Sequence, residues 1–580
     1  MNHDMRIQYP SLLRPWEKYH HRDSAPQLDP EESLYNNFMT VAKRTPQALA
    51  YIDYRTGRKV TYTQLLSEAD AFADGLSALG FTGNNRVGVL GFNCCADPVV
   101  LLGANKCGAA VVFISPDGSS ADIAASIRYV DVLVIQNILA ELEPLINTSS
   151  IPVIIYGPCP HLPSDHCYSY EDFLSNGVGK YAPAMESRTD RDAVVIFSSG
   201  STGASKPIVH SNRTATAAVR KMLASDFPIN DSSYLIKVIP SHIGLGSITT
   251  MLTALLSGVT YIQISGLPDP ATDMLKQTLE LTFELITHFK AWKRQNGLSD
   301  NKGLVLFAAP IYARYYRSRL DEIEDLSVLG GILLGGSKIP KEELDAMGAA
   351  FRSKGLQVPI CNGYGQNELG GAVALNTVHY NKNGSAGYPV AGTNVRIVDQ
   401  DTLEEVGFHT VGLVLEQSDS QFIRYLDMPE RTAQATITLP DGTTWYNSTD
   451  LGYMDEDGFL FITGRTTRVV IRFDHKISMD VIEEKLKAIP EIEDAAIVTT
   501  GSGEEITAFV VCKHAFDPEK ILEQMRSRKT HLSSFEIPDR ITIVPELPRM
   551  NNGKIGYVLL TERAKSDSGQ MAHTIPSGRN

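Results

Sequence analysis

The chain has 580 residues, a formal net charge of −14, 43% hydrophobic residues and 21% charged residues. That length exceeds one compact core and predicts roughly 3–4 domain-sized units, while the acidic balance excludes a sequence-independent nucleic-acid binder, which needs a cationic surface. No stretch approaches ~18 uninterrupted apolar residues, so no membrane span is expected, and the seven cysteines, at 94, 95, 107, 159, 167, 361 and 512 without C-x-x-C spacing, read as buried free thiols of a cytoplasmic protein.

Residues 1–34 are polar, with prolines at 10, 15, 26 and 30, and are expected to form an arm extended over the surface. From Val60 onward helix alternates with continuous apolar strand: helix at 63–79, strand at 86–91, helix at 97–107, strand at 109–114. This is the signature of a parallel sheet covered on both faces. The alternation resumes at 234–239 and continues through 259–264 and 303–307 to 330–336. Short alternating runs divided by turns over 392–461 predict antiparallel β. Asp455-Glu456-Asp457-Gly458 reads as one of those turns and not as a metal site. Strands at 468–473, 495–499, 506–511 and 540–544 with helices at 479–489 and 518–528 predict a last, α+β unit, and the Ser-, Gly- and Lys-rich end reads as a disordered tail. The expected fold is therefore α/β: a large N-terminal domain over 35–466, with two parallel-rich sheets and a small antiparallel section, a small mobile α+β domain over 467–562, and a tail over 563–580.

The apolar strand Val195-Ile196-Phe197 runs into Ser198, Ser199, Gly200, Ser201, Thr202, Gly203, Ala204, Ser205 and Lys206. Glycines let the backbone approach a polyphosphate, N–H groups and hydroxyls point at its oxygens, and the lysine adds charge. The Walker A spacing G-x-x-x-x-G-K-[ST] is absent. Alone, such a loop is more often a surface turn. Five further segments join it in order: Pro240-Ser241-His242-Ile243-Gly244, Asn362-Gly363-Tyr364-Gly365-Gln366-Asn367-Glu368, Thr449-Asp450 with the turn at 455–458, Gly464-Arg465, and Pro548-Arg549-Met550-Asn551-Asn552-Gly553-Lys554.

On this ordered set the chain resembles the adenylate-forming superfamily of acyl-CoA synthetases, luciferase-like enzymes and stand-alone adenylation domains, over about residues 35–560. The resemblance implies two half-reactions: a carboxylate attacks the α-phosphate of ATP to give acyl-AMP and pyrophosphate, and a thiol then takes the acyl group. The thiol would be that of CoA or of a carrier protein's phosphopantetheine. A carboxylate facing a polyanion is a poor nucleophile, so such a site must offset negative charge along the in-line path. By resemblance Lys554 bridges the carboxylate and the α-phosphate, and Glu368, with Thr202, ligates Mg²⁺. Asp450 accepts from the ribose hydroxyls, and Arg465 helps hold ribose and phosphate. Adenine lies between Tyr364 and the wall formed by Gly335, Gly336 and Ser337, and Asn362, Gly365 and Asn367 also belong to the cofactor-binding set. Ser198, Ser199, Gly200, Ser201, Thr202, Gly203 and Lys206 hold the β- and γ-phosphates, and His242 stands near the acyl carboxylate and the thiol entrance, with a purely structural role as its alternative.

Four positions depart from the family pattern. Ser205-Lys206-Pro207 replaces Pro-Lys-Gly, and Asn367 replaces Thr or Ser, its amide still able to donate to the α-phosphate. Thr467 stands at the hinge and Asp474 at a usual glycine, which leaves three consequences open: reshaped thiol delivery, an unusual acceptor, or a shifted loop. Tyr557 replaces a frequent basic residue. The segment 240–246 holds no carboxylate to bind an ammonium group, so a neutral-tailed acid is expected, with Gly244, Gly246 and Gly335 leaving room for bulk. The partners expected are a small-molecule carboxylic acid and CoA or an acyl carrier protein, for a monomer or homodimer; a non-catalytic nucleotide-binding relative is the alternative class.

Overall fold

The computed structural model describes residues 9–20, 28–81, 83–116, 118, 120–137, 150–159, 165–177, 188–198, 205–265, 274–299, 301–472, 475–500, 505–514, 536–550 and 554–567. The continuous apolar runs become parallel strands buried on both faces, as the composition requires. In an eight-stranded sheet, Asp192–Phe197, Ala110–Ile114, Arg86–Leu90, Val132–Gln136 and Val153–Tyr156 lie parallel in that order. Pro207–Ser211 returns antiparallel beside Asp192–Phe197, so the Ser/Gly-rich loop is the mouth of a hairpin. A nine-stranded sheet places Leu49–Asp53, Tyr261–Gln263, Ser233–Lys237, Gly303–Ala308, Leu329–Leu334 and Ile360–Gln366 parallel, with Gly371–Leu375 turning back antiparallel. The expected helices appear at Tyr62–Ala78, which opens on a Thr61/Gln64 capping box, and at Ala96–Lys106.

The antiparallel section is a five-stranded sheet whose long strand Thr444–Met454 pairs with Leu460–Arg465, setting Asp450 opposite Arg465. In the turn between them Phe459 N donates to Asp455 Oδ1 at 2.8 Å, and Gly458 has φ +92°, as a hairpin turn needs. In the last unit Ile492–Thr500, Glu505–Cys512 and Arg540–Ile543 form a three-stranded sheet. Ile497, Ala508 and Val510 face the helix Met479–Lys487, while Ala496, Val498 and Phe509 face Leu560 and Ala564 of the helix Tyr557–Asp567. Each helix takes one face, and period-2 alternation is hidden because both faces are apolar. The helix expected at 518–528 lies outside the described residues.

Two expectations are corrected. The start of the expected tail, 563–567, is not disordered: Tyr557–Asp567 is helical, with Ala564 only 3% exposed in the core. Over residues 9–20 the arm is not extended over the surface. Pro10–Leu13 and Pro15–Tyr19 are short helical turns, started by prolines whose missing N–H costs nothing at a first turn. Trp16 is 1% exposed, Tyr19 packs on Tyr380, Tyr388 and Phe459, and Ser11 donates through both N and Oγ to Glu405. A polar segment thus carries one buried aromatic anchor that its average composition conceals. Trp16→Ala should lower unfolding free energy by about 3 kcal/mol, read from the denaturant midpoint; an unchanged midpoint would show that the arm is dispensable.

Candidate active site

The hairpin mouth has a tight neck. Ser198 N donates to Lys206 O at 2.9 Å, Lys206 N to Ser198 Oγ at 2.9 Å, and Ser205 Oγ to Ser198 O at 2.5 Å. Ser199, Gly200, Ser201, Thr202 and Gly203 lie outside the described residues, as does Asp474. Lys206 Nζ stands 3.4 Å from the Tyr425 hydroxyl and 4.6 Å from its ring centroid, and that hydroxyl donates to Glu368 Oε1 at 2.9 Å. Tyr425 therefore joins the neck of the loop to a carboxylate that is only 9% exposed. Sequence reading missed Tyr425, because its placement depends on the two-residue strand Arg424–Tyr425 pairing with Val209 and Ile208.

Asp450, 1% exposed, is the most heavily bonded of the expected residues. Its Oδ2 accepts from Tyr364 OH at 2.5 Å and Gln366 Nε2 at 2.9 Å, and its Oδ1 accepts from Arg465 Nε at 2.8 Å. The preceding Thr449 holds φ +61°, a strained value for a β-branched residue. It is kept there by Asn447 Oδ1 accepting from its N–H at 2.9 Å and by its carbonyl accepting from Thr466 Oγ1 at 3.1 Å. Gly365 permits the hairpin turn-back: a Cβ would fall 2.0 Å from Gly371 O. Behind Asp450, burial and the Asp450 charge push Glu416 up to about 8. The shift disfavours a second charge beside Asp450.

Asn367 is a bracket. Its Nδ2 donates to Phe197 O at 3.1 Å and its Oδ1 accepts from Gly244 N at 3.1 Å, so both ends of the amide are engaged. Asn362 stands apart: its Nδ2 donates to Ser385 O at 2.7 Å and its Oδ1 accepts from Asn376 at 3.0 Å. His242 Nδ1 is buried with no partner among the described residues, and burial, helped by Lys237, pushes its pKa down to about 4. The glycines expected to leave room do not do so alike. A Cβ on Gly246 would lie 2.1 Å from Pro240 O, and one on Gly244 would meet Asn367 Oδ1 and Ile196 at 3.1 Å. Only at Gly335 is the nearest atom as far as 3.6 Å. Gly246 lies within the π-helical turn Leu245–Leu252, a form frequent at functional sites.

Lys554 reaches this place from the last unit. A Cβ at Gly336 would sit 3.8 Å from Lys554 Cε, and the Lys554 carbonyl accepts from Met550 N at 2.8 Å. Burial and then Arg465 push the Lys554 ammonium down to about 8, against Asp450 and Glu368, which favour its charge. Ser337, next in sequence to Gly336, is exposed. Tyr557 closes the same unit: the Arg468 guanidinium lies 3.9 Å over its ring, and its hydroxyl donates to Glu483 Oε2 at 3.0 Å. Thr467 lies in the single turn Thr466–Arg468 that leads into this unit. Among the described residues no three His, Cys, Asp or Glu side chains gather as a metal cluster, and no helix is long and apolar enough to cross a membrane.

A family model described as AMP-binding enzyme matches residues 38–426, and one described as AMP-binding enzyme C-terminal domain matches residues 481–554. A putative acyl–CoA ligase of Bacillus subtilis is 32% identical over 274 residues, 46% of this chain and 52% of that protein. The 4-chlorobenzoate–CoA ligase of an Arthrobacter species is 25% identical over 532 residues, covering 90% of this chain and 93% of that one. The fold is that of the anthranilate CoA ligase AuaEII in complex with anthranoyl-AMP, with a TM-score of 0.78 at 20% identity over 93% of this chain and 99% of that one. It is likewise that of ATP-bound MatB from Rhodopseudomonas palustris, with a TM-score of 0.76 at 20% identity over 92% of this chain and 99% of that one.

Proposed function

We propose, from the premise that this chain belongs to the AMP-binding enzymes and is an adenylate-forming ligase, that it converts a carboxylic acid and ATP to acyl-AMP and pyrophosphate and passes the acyl group to the thiol of CoA. The observation that carries the reading is Lys554 beside Gly336, with Asp450, Arg465 and Glu368 acting on its charge. A cation there would offset the charge that builds as a carboxylate meets a phosphate. Asp450 would bind the ribose diol with oxygens already aligned by Tyr364, Gln366 and Arg465. Lys206 and Ser198 would hold the departing pyrophosphate at the loop neck.

Glu368 fits Mg²⁺: it is an anionic oxygen donor, and with no carboxylate cluster among the described residues the ion would be held jointly with substrate phosphates. When bound, the ion would neutralise phosphate charge. We take 35–466 as the body and 467–562 as a lid that turns about Thr467, removing Lys554 after the first step. CoA is preferred as acceptor because the relatives of known name are CoA ligases; thioester yield with CoA against a holo carrier protein separates the two. The test is a panel of acids assayed for ATP-dependent hydroxamate formation, which assumes no acceptor. At least one neutral-tailed acid should give product, and no product from any acid would defeat the reading.

A further inference from the structure

At the C-terminal ends of the parallel strands in the nine-stranded sheet, Asp53, Gln263, Lys237 and Phe307 stand side by side at matched register. Such strand ends are where open parallel sheets receive ligands. Three of these four side chains are accounted for. Lys237, 0% exposed, donates to Asn93 Oδ1 at 2.6 Å and Ser241 Oγ at 2.9 Å and faces the Asp97 carboxylate at 3.8 Å. Asp53 accepts from Ser265 Oγ at 2.6 Å and from Thr56 N at 2.7 Å. Phe307 belongs to the apolar core.

Gln263 differs. It is 0% exposed, and neither its amide nitrogen nor its amide oxygen has a hydrogen-bond partner among the described residues. Folded interiors keep few such groups, since water is lost without replacement. The unpaired Nδ1 of His242 is a second orphan, on the segment that leaves the Lys237 strand. Ser241, which begins that segment, is tied to the row by Lys237 and donates to Asp97 at 2.6 Å. The row and the segment expected to meet the acid are thus fastened together.

On the reading that this chain activates an acid, we propose that the acid's tail carries an uncharged hydroxyl, a group able both to donate and to accept a hydrogen bond, and that the Gln263 amide binds it. The amide offers N–H donors and a carbonyl acceptor, the complement of such a group. Charge argues in the same direction. The Lys237 cation already faces Asp97, and Asp53 already has donors, so a charged tail would find no spare counter-charge in this row.

The test uses matched acids of graded length, straight-chain with and without an ω-hydroxyl and aryl with and without a ring hydroxyl, assayed for acid-dependent pyrophosphate release by the full-length protein. Expected is at least one pair in which the hydroxylated acid has about 10-fold or greater kcat/KM, because a site built to bond a hydroxyl is penalised by its absence. In Gln263→Leu that ratio should fall to near unity. The wild-type ratios need no variant to fold. Turnover of several acids with no hydroxyl preference, or a preference untouched in a folded Gln263→Leu, overturns the inference and leaves the ligase reading standing. No pyrophosphate release with any acid overturns both.

Discussion

Lys554→Ala is expected to lower acid-dependent pyrophosphate release by about 10²–10³-fold in kcat, the usual loss when one preorganised charge-stabilising group is removed. The fold should survive, because Lys554 belongs to neither apolar cluster of the last unit. The same residue sets a pH limit. Its ammonium is pushed down to about 8, so the charged form is lost as pH rises through that value. The kcat/KM should then fall about tenfold per pH unit above it. Stability moves the other way. A lysine unperturbed near ~10.4 in the unfolded chain is charged there up to that pH, so folding carries the cost of the buried cation below about 8 and is relieved of it between the two values. An alkaline limb that persists unchanged in a residual Lys554→Ala activity would assign the titration to another group.

Asp450→Asn should reduce kcat/KM for ATP by about 10²–10³-fold, corresponding to about 3–4 kcal/mol for a buried charge pair broken at one end. Arg465 would lose its partner at 2.8 Å, and Tyr364 would donate to a weaker acceptor. The alkaline limb should also move to lower pH. Asp450 favours the charged form of Lys554 while Arg465 opposes it, so removing the carboxylate leaves the repulsion opposed by Glu368 alone. A limb that stayed in place would separate Lys554 from Asp450 electrically and weaken the shared-site reading.

The parts of the site legible in the sequence are those whose chemistry is local. Asp450, Lys554 and Tyr364 sit in short segments with their own residue pattern, and the parallel strands announce themselves by apolar continuity over Arg86–Leu90 and Ala110–Ile114. What was hidden is what tertiary pairing creates. Tyr425 meets Lys206 and Glu368 only because a two-residue strand edges the sheet beside Ile208 and Val209. Gln366, to which the sequence reading gives no role, turns its amide onto Asp450 one residue after an irregularity in the strand register between Tyr364 and Gly365. Gly246 looked like room for a substrate and is instead a point of backbone contact, a distinction that only the position of Pro240 O reveals. Trp16 lies in a segment whose average composition is polar, and one aromatic anchor does not change an average.

Asn367 carries a consequence for how two substrates share one enzyme. One end of its amide grips the carbonyl that ends the strand leading to the proposed phosphate loop, and the other grips the N–H of Gly244 in the segment proposed to meet the acid. A displacement of Phe197 or of Gly244 is therefore felt at the other through a single rigid plane of atoms. Thermodynamic linkage makes such a connection symmetrical: whatever factor ATP contributes to the affinity for the acid, the acid must return to ATP. A shortened side chain at 367 would then make each occupant indifferent to the other before it made either bind badly.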